Sequence, residues 1–471
     1  MPLFAIMVLN LPFSKDRMRK AAFWFAFAFF IVQVLVAIFH HPIFWGYEIE
    51  KIDAFFKVSF SVDYMSFIML LCIGIVSLAS LAVARYTIYD EKERFKFINL
   101  LIISSMGMSG VVMVKDLFSL YVFLEIIAVS SFIMVAFEKD VLALEGAFKY
   151  MILSVIATIF MLLSIALLLL VSGDTSFSAI KTGLKGAGDS RIIIFAISMF
   201  LCGLFIKGGL VPFHGWLPDA YTAAPAAVSV LLAGIVTKAA GIYTLIRVVT
   251  SLFGFDGPTG SILMALGAIS ILTGAFAALR QTDFKRMLAY SSISQVGYII
   301  LGFGTGSALG MAGAAFHLFT HSIFKSLLIV NSAAVGAKVG TSNMDRMGGL
   351  SEKMPITGAT SVIGFLSASG MPPLAGFWSK LIIMIALWQS GHYAYFMIAV
   401  LASVITLAYF LLMQRKVFFG KLAEGLEGLQ EAGPGMLAAS CILAAITIGA
   451  GVFFPAVFNK FILPVKDLLL K

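Results

Sequence analysis

The stretch Leu204–Arg247, LFIKGGLVPFHGWLPDAYTAAPAAVSVLLAGIVTKAAGIYTLIR, decides the fold. Two apolar runs each carry one lysine, Lys207 and Lys238. Between them lies a segment, Val211–Pro225, interrupted by Pro212, Pro218 and Pro225. Hydrophobic runs of this length read as membrane spans, and a lysine deep inside one is costly enough to imply a function. A helix broken at membrane depth is tolerated only where protein or water covers its freed backbone groups. Together these features predict a place where protons or ions pass.

Composition agrees. Of 471 residues, 61% are hydrophobic and only 12% charged, about half the charge of an ordinary soluble domain. Mean hydropathy is +1.02, and apolar runs recur to the C-terminus. The expectation is an all-α polytopic protein, integral to the cytoplasmic (cell) membrane and in contact with lipid. The net charge of +9 would suggest nucleic acid in a soluble protein; here alternate loops hold the charge, so no nucleic-acid partner is expected. Cys72, Cys202 and Cys441 are isolated, with no CxxC or Cys/His cluster for zinc, haem or iron–sulfur. Neither GxGxxG after a strand nor GxxxxGK[ST] is present. No catalytic centre, metal or cofactor is expected. Met1–Phe13 reads as a short first helix rather than a cleaved signal.

About fourteen transmembrane helices are expected, near 1–13, 21–39, 63–84, 96–113, 116–136, 142–171, 192–211, 227–250, 259–279, 285–304, 309–336, 356–390, 394–414 and 434–456. With both termini outside, the inner loops hold Lys15, Arg17, Arg19 and Lys20; Arg85, Lys92, Arg94 and Lys96; Lys139; Arg280, Lys285 and Arg286; Lys338, Arg346 and Lys353; Arg415, Lys416 and Lys421. The outer loops hold fewer, such as Lys51, Lys57, Lys181, Lys185 and Arg191. Residues 414–433 mix charges with Val417, Phe418, Leu422, Leu426 and Leu429, which suits an amphipathic helix on the inner surface or a charged connecting loop.

A second break lies at Ser369–Lys380, SGMPPLAGFWSK. GLVPFHGW (Gly209–Trp216) and GMPPLAGFW (Gly370–Trp378) share Gly, two residues, Pro, two residues, Gly, then Trp at once or one residue later. Paired Gly/Pro-interrupted segments in two halves point to a repeat-built transporter. From the seventh span to the twelfth is five steps, so the repeats would be inverted. The expected units are 1–95 (N-terminal helices), 96–250 (first repeat), 259–414 (second, inverted repeat) and 415–471 (inner-surface segment and last helix).

Glu125 sits mid-span in LYVFLEIIAVSSF. Paired with a lysine, it can bind and release a proton; otherwise the pair is static and fixes packing. Lys207 can snorkel to an interface, whereas Lys238 lies far from either end of its span. His317, His321 and Lys325 in AAFHLFTHSIFKSLLIV are spaced i, i+4, i+8, on one helix face. Lys325 would repel a metal ion, so a hydrated proton relay fits better than a metal site, with hydrogen-bonded packing histidines as the other reading. Lys380 follows the second break at depth and reads as the terminal carrier. Glu145 and Lys149 form an i, i+4 pair that either joins the Glu125 site or is superficial. His214 and Asp219, in the first break, either line a proton entrance or satisfy exposed backbone. Arg280, Asp283, Lys285 and Arg286 read as inner-surface anchors.

Several segments resemble, in order, the antiporter-like subunit family shared by respiratory complex I, membrane-bound hydrogenases and Mrp-type cation/proton antiporters. These are DLFSLYVFLEI (Asp116–Ile126), GAFKYMILS (Gly146–Ser154), KGGLVPFHGWLPDAYTAAPAAVS (Lys207–Ser229), QTDFKRMLAYSSISQVGY (Gln281–Tyr298), HLFTHSIFKSLL (His317–Leu328) and GMPPLAGFWSK (Gly370–Lys380). The resemblance implies fourteen helices with two inverted five-helix repeats, each with a broken helix. It implies a Glu125–Lys207 pair, a central Lys238, the His/Lys helix and a terminal Lys380 at the outer exit. Some relatives have a histidine early in the eighth span where this chain has Ala233–Gly234, and others a glutamate in place of Lys380. The long C-terminal lateral helix of the largest complex I subunit is missing. SVLLAGIVTKAAGIYTLIR and PPLAGFWSK are most similar to the Mrp D-type subunit and its hydrogenase counterparts. The implied partners are other membrane subunits of a hetero-oligomeric complex, further antiporter-like subunits among them; the implied cargo is protons or sodium.

Overall fold

The computed structural model describes residues 2–10, 15–39, 49–52, 59–187, 191–255 and 258–469. Residues 1 and 11–13 of the first expected span, Lys57, and the side chains of Lys15, Arg17 and Lys51 lie outside what is described. Among the described residues twelve helices are long and apolar enough to cross a membrane, and the chain is a multi-pass membrane protein. The one sheet described is a two-stranded antiparallel ribbon, β1 (Ile49–Ile52) with β2 (Ser59–Val62).

The chain opens with α1 (Pro2–Leu9) and α2 (Lys15–Phe39). At eight residues α1 spans only about 12 Å, short of a crossing. After the ribbon come α3 (Tyr64–Thr87), α4 (Glu91–Met113), α5 (Leu117–Val135) and α6 (Val141–Ser172). Each of these four starts on an aspartate whose carboxylate accepts from the first backbone N–H groups: Asp63 from Ser66, Asp90 from Lys92 and Glu93, Asp116 from Ser119, and Asp140 from Ala143. The backbone N–H groups of Glu93 and Lys92 hold the exposed Asp90 carboxyl below the ordinary carboxylate range.

A short amphipathic helix, α7 (Phe177–Ala187), buries Phe177 and Ile180. Then α8 (Arg191–Gly208) stops at the first break, and α9 (Trp216–Ala223) and α10 (Ala226–Phe253) follow it. The hairpin-like pair α11 (Thr259–Leu279) and α12 (Phe284–Gly304) precedes the long α13 (Ala308–Val339). The second break separates α14 (Pro355–Ser369) from α15 (Ala375–Gln389); α16 (Tyr393–Val417), α17 (Pro434–Val452) and a helical tail over 454–469 finish the chain. The core sits on α10, α12 and α13, each 94% buried over its most apolar stretch, whereas α6 is only 33% buried and turns most of its surface outward.

The two breaks are alike residue for residue. α8 ends with Gly209 at φ +66° and α14 with Gly370 at φ +81°, the left-handed conformation that glycine adopts without a Cβ penalty. The N–H of Leu210 bonds the carbonyl of Phe205, and that of Met371 the carbonyl of Leu366. Gly209 bonds Ile206 and Gly370 bonds Ser367. This is the same C-terminal cap twice. A tight turn follows in each, closed by Phe213 to Leu210 and by Leu374 to Met371. The expected single span 356–390 is therefore two fifteen-residue helices, α14 and α15.

Of the two readings of 414–433, the structure has the connecting loop and not the amphipathic helix. α16 ends at Val417, and residues 418–433 run as turns. Gly420 and Gly425 take φ +89° and +81°, which an α-helix cannot accommodate. Leu422, Leu426 and Leu429 still pack against the core, so the segment is a charged loop with an apolar underside.

Candidate functional site

α10 is not a regular α-helix. Over 232–236, 238–243 and 249–253 it widens to i→i+5 winding, a distortion that frees backbone carbonyls and recurs at functional sites. Side chains take up those carbonyls. Lys238 Nζ donates to Ala233 O, Thr237 Oγ1 to Leu232 O at 3.3 Å, and Thr244 Oγ1 to Ala239 O at 2.9 Å. Lys238 is fully buried, and the Ala233 carbonyl is the partner found for its ammonium among the described residues.

Lys207, at the last turn of α8, pairs with Glu125 of α5: Nζ lies 3.1 Å from Oε1. Ser154 Oγ is 3.3 Å from the same ammonium, and Thr158 Oγ1 donates to Glu125 Oε1 at 2.7 Å. The pair is asymmetric, because the Lys207 side chain is 4% exposed and that of Glu125 28%. The lysine faces the bundle and the carboxylate the bundle's outer face. A small cavity bounded by Tyr150, Ser154, Lys207, Thr237 and Ala240 lies between Lys207 and α10, beside the turn that carries Lys238.

On α13, His317, His321 and Lys325 are all fully buried. The two imidazole rings stack, with centroids 6.1 Å apart and planes 13° from parallel. His317 Nδ1 is 2.8 Å from Ser379 Oγ, and His321 Nε2 is 3.4 Å from Ser292 Oγ. His317 Nε2 and His321 Nδ1 have no hydrogen-bond partner among the described residues. Lys325 Nζ donates to Leu288 O at 3.0 Å and to Ser291 Oγ at 2.5 Å. Lys238, Lys325 and Lys380 all lie within electrostatic reach of His321. Among the described residues no group of three His, Cys, Asp or Glu side chains is placed to hold a metal.

Lys380 reaches back across the second break to the carbonyl of Ala368 at 2.8 Å. Ala368 stands where Lys207 stands at the first break, one residue before the last helical position. The Lys380 ammonium also sits 4.4 Å above the Tyr298 ring, a cation–π contact. Tyr298 lies in turn 5.9 Å from His317. The seven residues thus fall into three groups: Glu125 with Lys207; Lys238 with its carbonyl; and His317, His321 and Lys325 with their hydroxyl partners beside Lys380 on the Ala368 carbonyl and the Tyr298 ring.

The accessory residues lie elsewhere. Lys149 Nζ bridges Glu145 at 2.7 Å and Asp219 at 2.8 Å, and Arg286 holds the other Asp219 oxygen at 2.8 Å. Lys285 donates to Ala224 O at 3.0 Å. This corner ties α6, α9 and α12 at their ends; Glu145 and Lys149 make no hydrogen bond or ion pair with Glu125. His214 is half-buried with Nδ1 unpartnered among the described residues.

Sequence reasoning missed the pair Asp63–Arg247. Arg247 Nη1 and Nη2 lie 2.5 and 2.8 Å from the two Asp63 oxygens, and the guanidinium also contacts Tyr243 and Ser66. Both charges are buried. The available signal was an arginine inside the expected span 227–250. Also missed were Ser379, Ser291, Ser292 and Tyr298, which hold the His/Lys groups; their signal is polar side chains at helical spacing within apolar spans.

Apolar spans threaded by buried lysines and histidines, with a carboxylate at one end, define a multi-pass membrane protein of the ion-translocating class. The chain belongs to the NADH:quinone oxidoreductase/Mrp antiporter, TM family, which it matches over residues 114–406. It is 30% identical over 478 residues to NADH-quinone oxidoreductase subunit N of Desulforudis audaxviator, covering 98% of this chain and 94% of that protein. It is 32% identical over 364 residues to the D-type subunit of the Na(+)/H(+) antiporter of Alkalihalophilus pseudofirmus, covering 76% and 73%. Its fold matches a chain of the Mrp complex from Dietzia sp. DQ12-45-1b with a TM-score of 0.91, at 21% identity, over 99% of this chain and 96% of that one.

Proposed function

We propose that this chain is a proton-translocating, antiporter-like membrane subunit of a multisubunit respiratory complex, such as a membrane-bound hydrogenase or a complex I relative. The observation that carries the reading is the succession of buried ionisable groups from Glu125–Lys207 through Lys238 to His317, His321, Lys325 and Lys380. Burial makes each extra charge costly, and like charges within reach of one another are costlier still. A proton gained at one site therefore favours release at the next, so protonation steps are coupled along the series. Asp219, held by Lys149 and Arg286, anchors the first broken helix, and with Glu145 this corner lies outside the proton path; His214, in the same break, is assigned to the proton entrance.

The matching breaks support two inverted repeats, 96–250 and 259–414, following N-terminal helices over 1–95 and preceding the loop and last span of 415–471. The concentration of lysine and arginine at one set of helix ends supports an orientation in the cytoplasmic membrane with both termini outside. Further antiporter-like subunits are the natural neighbours of the partly exposed Glu125 face. A second reading, the D-type subunit of an Mrp-type sodium/proton antiporter, is favoured by the 32% identity to a D-type antiporter chain.

Gentle purification of the tagged chain from its native membrane, with mass spectrometry of what accompanies it, tests the assignment. Hydrogenase or quinone-reductase subunits are expected. Small hydrophobic subunits alone would move the chain to the Mrp reading, and isolation as an active monomer would overturn both.

A further inference from the structure

Lys207 stands before the first break and Lys380 after the second, but their surroundings differ. Lys207 pairs with Glu125. Lys380 is 2% exposed, and among the described residues no carboxylate forms an ion pair with it. A buried ammonium without an opposite charge is costly unless other groups answer it. Two do so here. The Ala368 carbonyl accepts from Lys380 Nζ at 2.8 Å, and the centroid of the Tyr298 ring lies 4.4 Å from the same nitrogen.

The ring is built into the fold. Tyr298 is fully buried, and a desolvated cation–π contact is stronger than an exposed one. Its hydroxyl donates to Ala399 O at 2.7 Å and lies 3.0 Å from Ser403 Oγ. Both partners belong to α16. Rooted on α12 and tied to α16 at its tip, the ring has a fixed axis beside α15. Tyr298 also belongs to an apolar cluster with Met264 of α11 and with Ile383 and Leu387 of α15, so plain packing is the competing role. Charge separates the two roles. The face of an aromatic ring is negative and attracts an ammonium, whereas a neutral amine gains no such attraction. Packing is indifferent to that change.

We propose that Tyr298 is a positioning residue for Lys380: its ring face serves the charged lysine as Glu125 serves Lys207, holding the ammonium at the second break and losing that hold when the lysine is neutral. The inference rests on the proton-translocation reading above. A proton gained at Nζ draws the side chain onto the ring. When the proton leaves, the attraction leaves with it, so the place of Lys380 follows its charge. Tyr298 itself neither gains nor loses a proton.

The test uses the intact complex in sealed vesicles with a pH-sensitive dye, driven by its own redox reaction or by a sodium gradient. Position 298 is replaced by phenylalanine, and by phenylalanines carrying one, two or three ring fluorines. Fluorine drains the negative face and barely changes the ring's size. Tyr298→Phe is expected to keep proton transport within about twofold of the unsubstituted rate, and each fluorine to slow it further, roughly tenfold with three. Tyr298→Leu, apolar but without a ring, is expected to fall as far as the trifluorinated side chain. Equal rates across the fluorine series overturn the proposal. So does loss of transport in Tyr298→Phe, which would place the role on the hydroxyl. Should Tyr298→Leu fail to assemble, the fluorine series decides alone. Lys238→Ala separates the two levels. Normal transport in that variant refutes the function itself, whereas its loss beside a flat fluorine series refutes only the role of Tyr298.

Discussion

Gly241 of α10 lies against the backbone of Gly208 so closely that a Cβ at 241 would collide with the Cα and N of Gly208. This is where the last turn of α8, with Lys207, meets the distorted helix that carries Lys238. The absence of two side chains brings the two lysine-bearing backbones together.

Gly241→Ala should therefore force α8 and α10 apart. Overpacking of this kind costs about 1–3 kcal/mol. The expected outcome is a lower unfolding temperature for the purified protein and weakened proton transport. An unchanged melting curve would show that the contact is not tight.

The Asp63–Arg247 pair locks the far end of α10 to α3. Its neighbours Tyr243 and Ser66 both donate to Val112 O at 2.7 Å, which adds α4 to the clamp. Removing one partner leaves an unpaired buried charge, at a cost of about 3–5 kcal/mol. Arg247→Met and Asp63→Leu should each destabilise severely, and the double variant should recover much of the loss. Thermal unfolding of the three variants checks the sign of the coupling.

Thr158→Val deletes the hydroxyl that donates to Glu125 and leaves Lys207 in place. A hydrogen bond to a charged group contributes about 1.5–3 kcal/mol. Proton transport in vesicles should fall roughly tenfold while complex assembly, judged by native electrophoresis, is retained.

Lys149→Met marks the contrast. Its bridges to Glu145 and Asp219 are part-exposed, and such pairs contribute about 0–1 kcal/mol. Stability and proton transport should both stay near the unsubstituted level; a loss as deep as that of Thr158→Val would bring the corner into the proton path.

Much of this was legible in the sequence because its causes are local. Gly209 and Gly370 announce the helix ends, Pro212 and Pro373 the breaks, and lysines or histidines within apolar runs announce the buried charges. What was hidden depends on distant partners. Asp63 and Arg247 are far apart in sequence, and the aspartate, at the mouth of a span, reads as an ordinary cap. The widened winding of α10 has no periodic signature; it accompanies the close approach at Gly241 and the side chains that take up the freed carbonyls. Residues 418–433 carry leucines at helical spacing, but glycines at 420 and 425 take conformations that end any helix. Ser379 and Ser291 became visible as partners only once α13 was seen packed between α12 and α15.

The most direct measurement is proton transport by the assembled complex carrying Lys238→Ala, set beside Glu125→Ala, with assembly confirmed in both. The account predicts normal assembly and abolished transport in each. Full transport in both would contradict a path through the buried charges.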